Sequence, residues 1–255
     1  MTPPAWPDAL LSRIEDASLN ASTPPQQRWV DGWLLRLSPG KAQRARSINA
    51  VADGHLPLAE RLALCHAEFQ AAGLPTLVRL TPFSKPAGLD DFLANLGYTR
   101  HDDSLVMACD KLPTHSEPFP PGITMESVSN EVYAHIVGKF RSSSPQERQA
   151  HRQRLENSPV PYQGSILRDT SREVVACAQM TLESGMVGLY DVFTDSAWRG
   201  RGLSRQLCGA LLSQARTQGA KLGYLQVDAL NAPARAVYIK LGFRDAYSYH
   251  YRRHP

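Results

Sequence analysis

Apolar positions along the chain fall into two periods. Helical spacing recurs over residues 7–21, 58–72, 89–96 and 131–139, and again from Leu203 through Leu207, Leu211 and Ala215. Pro24 and Pro25 close the first of these helices, Gly73 and Pro75 the second, and Gly97 with Tyr98 the third. Strand-like runs cover 76–80, 104–109 and 123–128, and another resumes at Ile166 and Leu167. Residues 29–37 suit a strand or hairpin with Pro39 and Gly40 as its turn. Residues 174–181 and 186–194 form a predicted hairpin across Glu183, Ser184 and Gly185.

The order of elements repeats. Leu96, Gly97 and Tyr98 match Leu241, Gly242 and Phe243, while Gly73 precedes Gly97 by 24 residues and Gly219 precedes Gly242 by 23. This register predicts an internal duplication, with modules at 1–112 and 123–255 joined by a proline-rich linker at 113–122.

Between the strand ending near Phe193 and the helix opening at Leu203 lies Arg199, Gly200, Arg201, Gly202. Glycines at a strand-to-helix junction let backbone N–H groups converge, and the helix N-terminus adds its positive dipole end, so the stretch reads as an anion cradle. A Walker loop is excluded because no Lys-Ser/Thr pair follows Gly202. A dinucleotide fingerprint fails at its third glycine, where Arg205 stands.

What remains resembles the acetyl-CoA pyrophosphate loop of the GNAT superfamily of N-acetyltransferases: Gln or Arg, two residues, Gly, one residue, Gly or Ala. Here Arg199, Gly202 and Ser204 match it; Ser204 departs in type but is small and suits a helix cap. A second stretch resembles the family's later signature through Leu225, Gln226, Val227, Asn231, Ala234, Ala236, Tyr238, Leu241, Gly242 and Phe243. The resemblance covers residues 120–255. It implies an α/β fold whose mixed, mostly antiparallel central sheet is flanked by helices, here in two tandem modules. Only the second module is equipped for cofactor: the first has Asp53, Gly54, His55 and Leu56 at the loop position and Leu93 where Tyr238 falls.

The resemblance also implies acetyl-CoA as co-substrate and a primary amine as acceptor, with direct attack in a ternary complex. Cofactor contacts are expected from Val192, Phe193 and Thr194 on the strand, from Arg199, Gly200, Arg201, Gly202, Leu203 and Ser204 in the loop, and from Asn231, Ala234 and Tyr238. Tyr238 is the expected general acid toward the departing thiolate. Asn231 would bind pantetheine, cap its helix, or both. For the general base, Asp191, Tyr190 and a water chain stay open. A CoA-sensing module without catalysis and a longer-chain acyltransferase are the rival functions.

Composition narrows the partners. The 255 residues include 42% hydrophobic and 20% charged positions with a formal net charge of +4, which describes a globular chain without a nucleic-acid tail. Cys65, Cys109, Cys177 and Cys208 stand singly in apolar stretches and read as reduced core residues, with no metal site. The opening MTPPAWPDAL lacks the basic flank and apolar run of a leader, and no eighteen-residue apolar stretch occurs, so a cytoplasmic location without a membrane partner is expected, as monomer or homodimer. Lys41, Arg44 and Arg46 read as a solvated strand edge or as a basic lip for an anionic substrate, and His135, His151 and His250 as surface residues.

Overall fold

The computed structural model describes residues 5–255; residues 1–4, the first part of the segment judged to lack a leader, lie outside the described residues. The first half carries α1 (Asp8–Ala21), β1 (Gln26–Val30), β2 (Trp33–Leu37), β3 (Ile48–Asn49), α2 (Leu58–Ala71), β4 (Leu77–Leu80), α3 (Leu89–Asn95) and β5 (Thr99–Cys109). The second carries β6 (Thr124–Val128), α4 (Asn130–Phe140), α5 (Pro145–Glu156), β7 (Tyr162–Arg168), β8 (Val174–Glu183), β9 (Met186–Thr194), α6 (Leu203–Thr217), β10 (Leu222–Asp228), α7 (Ala232–Lys240) and β11 (Arg244–Arg253).

All eleven strands join one sheet in the order β1-β2-β3-β4-β11-β5-β10-β9-β8-β7-β6. Only the β3–β4 and β9–β10 pairs are parallel, so the sheet is mixed and mostly antiparallel, as the sequence predicts. Its centre is an exchange. The last strand of the second half, β11, lies between β4 and β5, and the last strand of the first half, β5, lies between β11 and β10. A chain cut at residue 112 keeps β5 but loses both strands that flank it. Such a fragment is expected to aggregate or melt broadly in calorimetry; a sharp cooperative melt would show that the first half folds alone.

Four helices end in the same hydrogen-bonded way. The residue after each helix-ending glycine donates its N–H to the carbonyl five residues back: Leu74 to Phe69, Tyr98 to Leu93, Ala220 to Ala215 and Phe243 to Tyr238, at 2.9–3.0 Å. These are Schellman closures, and at Gly97 and Gly242 they require φ of 82° and 88°, which glycine adopts without a Cβ penalty. Leu93, fully buried, fills in the first half the place that Tyr238 takes in the second.

Packing follows the amphipathic faces. The α6 stripe Leu203, Leu207, Leu211 and Ala215 is buried with Leu189, Leu225 and Tyr238 on one face of the sheet. On the other face α1 and α4 cover Tyr190, Tyr224 and Tyr247. A third cluster, with Trp33, Phe69 and Leu93, closes the first half. All four cysteines are free and buried. Among the described residues no helix is long and apolar enough to cross a membrane.

Two local expectations are corrected. The first hairpin turns at Asp31 and Gly32, where φ is 42° and 84°, and not at Pro39 and Gly40; two residues of positive φ match the right-handed twist of a tight hairpin. Strand β5 begins five residues earlier than predicted, because its polar part pairs with β11. In the polar stretch 141–164, helix α5 starts at a capping box formed by Ser144 and Glu147.

Candidate active site

Strands β9 and β10 run parallel only from Met186–Leu222 to Leu189–Leu225. Beyond that point β10 stays with β5, and β9 stays with β8 through an irregularity opposite Ala178. The irregularity centres on Asp191, which has φ 48° and adds a residue to β9. Past it, Asp195 N–H points at Val175 of β8 (2.9 Å). N–H directions alternate along a strand, so those of Thr194 and Val192 face the gap that β10 has left. Phe193 points otherwise, stacked on Phe140 with Arg141 above its ring at 5.1 Å.

The gap leads to the loop. Gly200 and Gly202 hold φ of 77° and 80°, and a Cβ at either would meet no atom within 4 Å, so space stands in front of both. Gly202 itself is the N-cap of α6, without a side-chain cap or an acidic residue in the first turn; the expected cap from Ser204 is thereby corrected, since Ser204 already lies inside the helix. Leu203 is buried and Ser204 half-buried at that turn. The first N–H groups of such a helix have no intrahelical acceptor and are open to an anion. Arg199 is exposed beside Thr194, and Arg201 rests on the Trp198 ring at 4.5 Å.

The equivalent place in the first half is closed by the chain itself. The Asp31 carboxylate accepts from His55 N and Leu56 N at 2.8–2.9 Å and pairs with Arg61 at 2.8 Å. Those two N–H bonds and the Arg61 charge outweigh burial and hold Asp31 below the usual carboxylate range. A Cβ at Gly54 would fall 2.3 Å from the Asp31 carbonyl oxygen. One internal carboxylate thus occupies donors that the second half leaves free.

Asn231 caps α7 by accepting from Ala234 N at 3.2 Å. From α7 the buried Tyr238 reaches the cluster that includes Leu189 and Val192, its ring edge-on to Phe243. Burial, reinforced by Cys208, raises its hydroxyl pKa well above the ordinary value, so it stays protonated.

Asp191 and Tyr190 turn to the opposite face. Arg141 and Gln179 donate to the Asp191 carboxylate, and His151 Nε2 lies 3.2 Å from it. Burial alone would raise its pKa; the Arg141 charge and His151 outweigh that and hold it far below the carboxylate range. A carboxylate so held accepts no proton near neutral pH. Tyr190 shares a 2.8 Å hydrogen bond with Tyr224, and burial lifts its hydroxyl pKa.

These side chains open on a cavity of about 370 Å³ lined by both halves, with Lys41 and Arg44 on one wall and Ser104, Asp228 and Tyr249 from β5, β10 and β11 on another. Arg44 is therefore no part of a solvated strand edge, as its bonds to Gln226 and Tyr249 confirm. His151 and His250 are also mostly buried, paired with Asp191 and Asp90, which corrects their reading as surface residues; His135 is exposed. Burial pushes the Tyr249 hydroxyl up, but the Arg44 and Arg79 cations outweigh it and hold it below its ordinary value. The sequence reading missed Tyr249 and Arg141 and named Gln226 only as part of the later signature. Tyr247, Tyr249 and Tyr251 at period two were the available signal for the first of these.

A sheet parted just before a glycine-bearing helix N-terminus is the frame of a GNAT N-acetyltransferase. The structure of a GCN5-related N-acetyltransferase from Kribbella flavida superposes with a TM-score of 0.70 at 18% identity, covering 96% of this chain and 95% of that one. A tandem GNAT protein from the clavulanic acid biosynthesis pathway gives 0.60 at 15% identity, over 77% and 70%. An uncharacterized N-acetyltransferase, YobR of Bacillus subtilis (strain 168), is 26% identical over 229 residues, 89% of this chain and 91% of that protein. The model of the family described as "Probable histone acetyltransferase Rv0428c C-terminal" matches residues 9–252, and the chain belongs to that family of N-acetyltransferases.

Proposed function

We propose that this N-acetyltransferase moves an acetyl group from acetyl-CoA to a primary amine seated in the cavity between the halves. The observation that supports this most directly is the parting of β9 from β10 immediately before the uncapped N-terminus of α6. In this reading Gly200, Arg201, Gly202, Leu203 and Ser204 present N–H groups to the pyrophosphate, while Arg199 supplies charge. Val192 and Thr194 N–H groups hold the thioester carbonyl and the pantetheine arm; Phe193, Asn231 and Ala234 border them. Only the second half, residues 123–255, carries this apparatus; residues 1–112 wall the acceptor side.

The amine nitrogen adds to the carbonyl carbon, the C–S bond breaks, one proton leaves nitrogen and one joins sulfur. Tyr238 donates the proton to sulfur. Asp191 does not take the other: it fixes Arg141 and Gln179 at the cavity edge, and the amine proton leaves through water. Acetyl-CoA at a hundred times its dissociation constant is expected to stabilise the protein by about 2.7 kcal/mol in a thermal-shift titration. Arg199→Ala or Gly202→Val should remove most of that shift. A full shift in both variants would refute the loop assignment.

A further inference from the structure

We infer that the acceptor amine carries a carboxylate on the same molecule and that Arg44 binds it, a deepening that rests on the acetyltransfer reading above. The cavity, at about 370 Å³, has the size of a small-molecule site. Its cations are unequally matched. Arg141 is paired with Asp191, and Lys41 lies 3.3 Å from Glu147. Among the described residues Arg44 hydrogen-bonds only to the Gln226 side-chain oxygen and to the Tyr249 hydroxyl at 3.2 Å, and its Nε is buried without an acceptor; Glu15, which feels its charge, is bound to Arg79. Arg154, also on the lining, hydrogen-bonds among the described residues to the Tyr162 hydroxyl at 3.2 Å and the Ala21 carbonyl at 3.5 Å, and it adds to the field on Asp191.

The acids nearby are committed elsewhere. Glu15 is held by Arg79 through both oxygens and accepts from Tyr247 at 2.6 Å. Asp102 takes Gln43, Asp103 takes Arg100, and Asp228 caps the Leu230 N–H at 2.7 Å. The surplus positive field is felt next door: burial, with Arg79 and Arg44, pushes the fully buried Arg36 down to about 9. A buried guanidinium without a hydrogen-bonded counter-ion of its own favours an incoming anion, and a planar carboxylate matches its fork of donors. Coenzyme A does not supply that anion in this reading, because its phosphates belong at the α6 N-terminus. Leu203 at that N-terminus packs on the face with Leu189, whereas the cavity lies on the face with Tyr190.

The test uses three amines with one side chain: an amino acid, its carboxamide and its decarboxylated amine. Binding to the full chain without acetyl-CoA is measured by calorimetry, and transfer is measured as CoA release. The amino acid should bind and react about 10- to 100-fold better than either neutral counterpart. Arg44→Gln should abolish the preference through KM, and Arg44→Lys should restore part of it. Equal binding of all three by the parent protein would overturn the inference, as would a preference that survives Arg44→Gln. If Arg44→Gln does not fold, the parent comparison still decides. Absence of an acetyl-CoA thermal shift would instead sink the acetyltransfer reading, while the calorimetric comparison would still judge the anion site.

Discussion

Tyr238→Phe is expected to bind acetyl-CoA as the parent protein does and to transfer the acetyl group roughly 10²- to 10⁴-fold more slowly, the usual share of a general acid. The substitution isolates the hydroxyl. The ring is buried among Leu207, Leu211 and Val237 and edge-on to Phe243, so phenylalanine fills the same volume. Among the described residues no group hydrogen-bonds to the hydroxyl, and its loss leaves no orphaned partner and little change in stability. A thermal-shift titration therefore serves as the control for fold and cofactor affinity. Because burial keeps the phenol protonated, the loss should be the same across neutral pH. Unchanged turnover with normal cofactor binding would reduce Tyr238 to a packing residue and leave water as the proton donor.

What was legible in the chain was what is local. The α6 stripe and the Gly200–Gly202 loop follow from periodicity and glycine placement, the Asn231-to-Phe243 segment from the family resemblance, and the structure puts an element at each. The exchange of β5 and β11 was hidden. Strand pairing is non-local, and nothing in residues 99–109 says which neighbour each edge will meet. Arg44 was legible only as one of two readings, a solvated strand edge or a basic lip for an anionic substrate, because an arginine that lines a cavity between modules reads, in sequence, like one in water. The polar start of β5 suggested a loop, since Arg100 and Asp103 at its solvent-facing end carry the composition of a turn. For Asp191 the sequence offered a carboxylate beside the cofactor loop but not the three side chains that converge on it.

Those three partners make Asp191→Asn the second informative variant. The carboxylate is mostly withdrawn from water and meets Arg141, Gln179 and His151, whereas its backbone carbonyl accepts from Tyr133 at 2.7 Å. Removing one member of a buried ion pair typically costs 3–5 kcal/mol; with the Arg141 side chain 31% exposed, about 2–4 kcal/mol is expected in urea denaturation at pH 7. The sign with pH follows from the lowered pKa. The charged form is favoured by the fold, so its contribution is complete above the unfolded value of about 3.9 and is lost as pH falls toward the folded one. The gap between parent and variant should therefore hold from pH 8 to 5 and narrow below pH 4. Turnover should fall only as far as Arg141 and the β9 irregularity are displaced, and the acid limb of the pH–rate profile should persist in the variant. If stability is unchanged while that limb disappears, Asp191 is the general base after all, and its pairing with Arg141 must open when substrate binds.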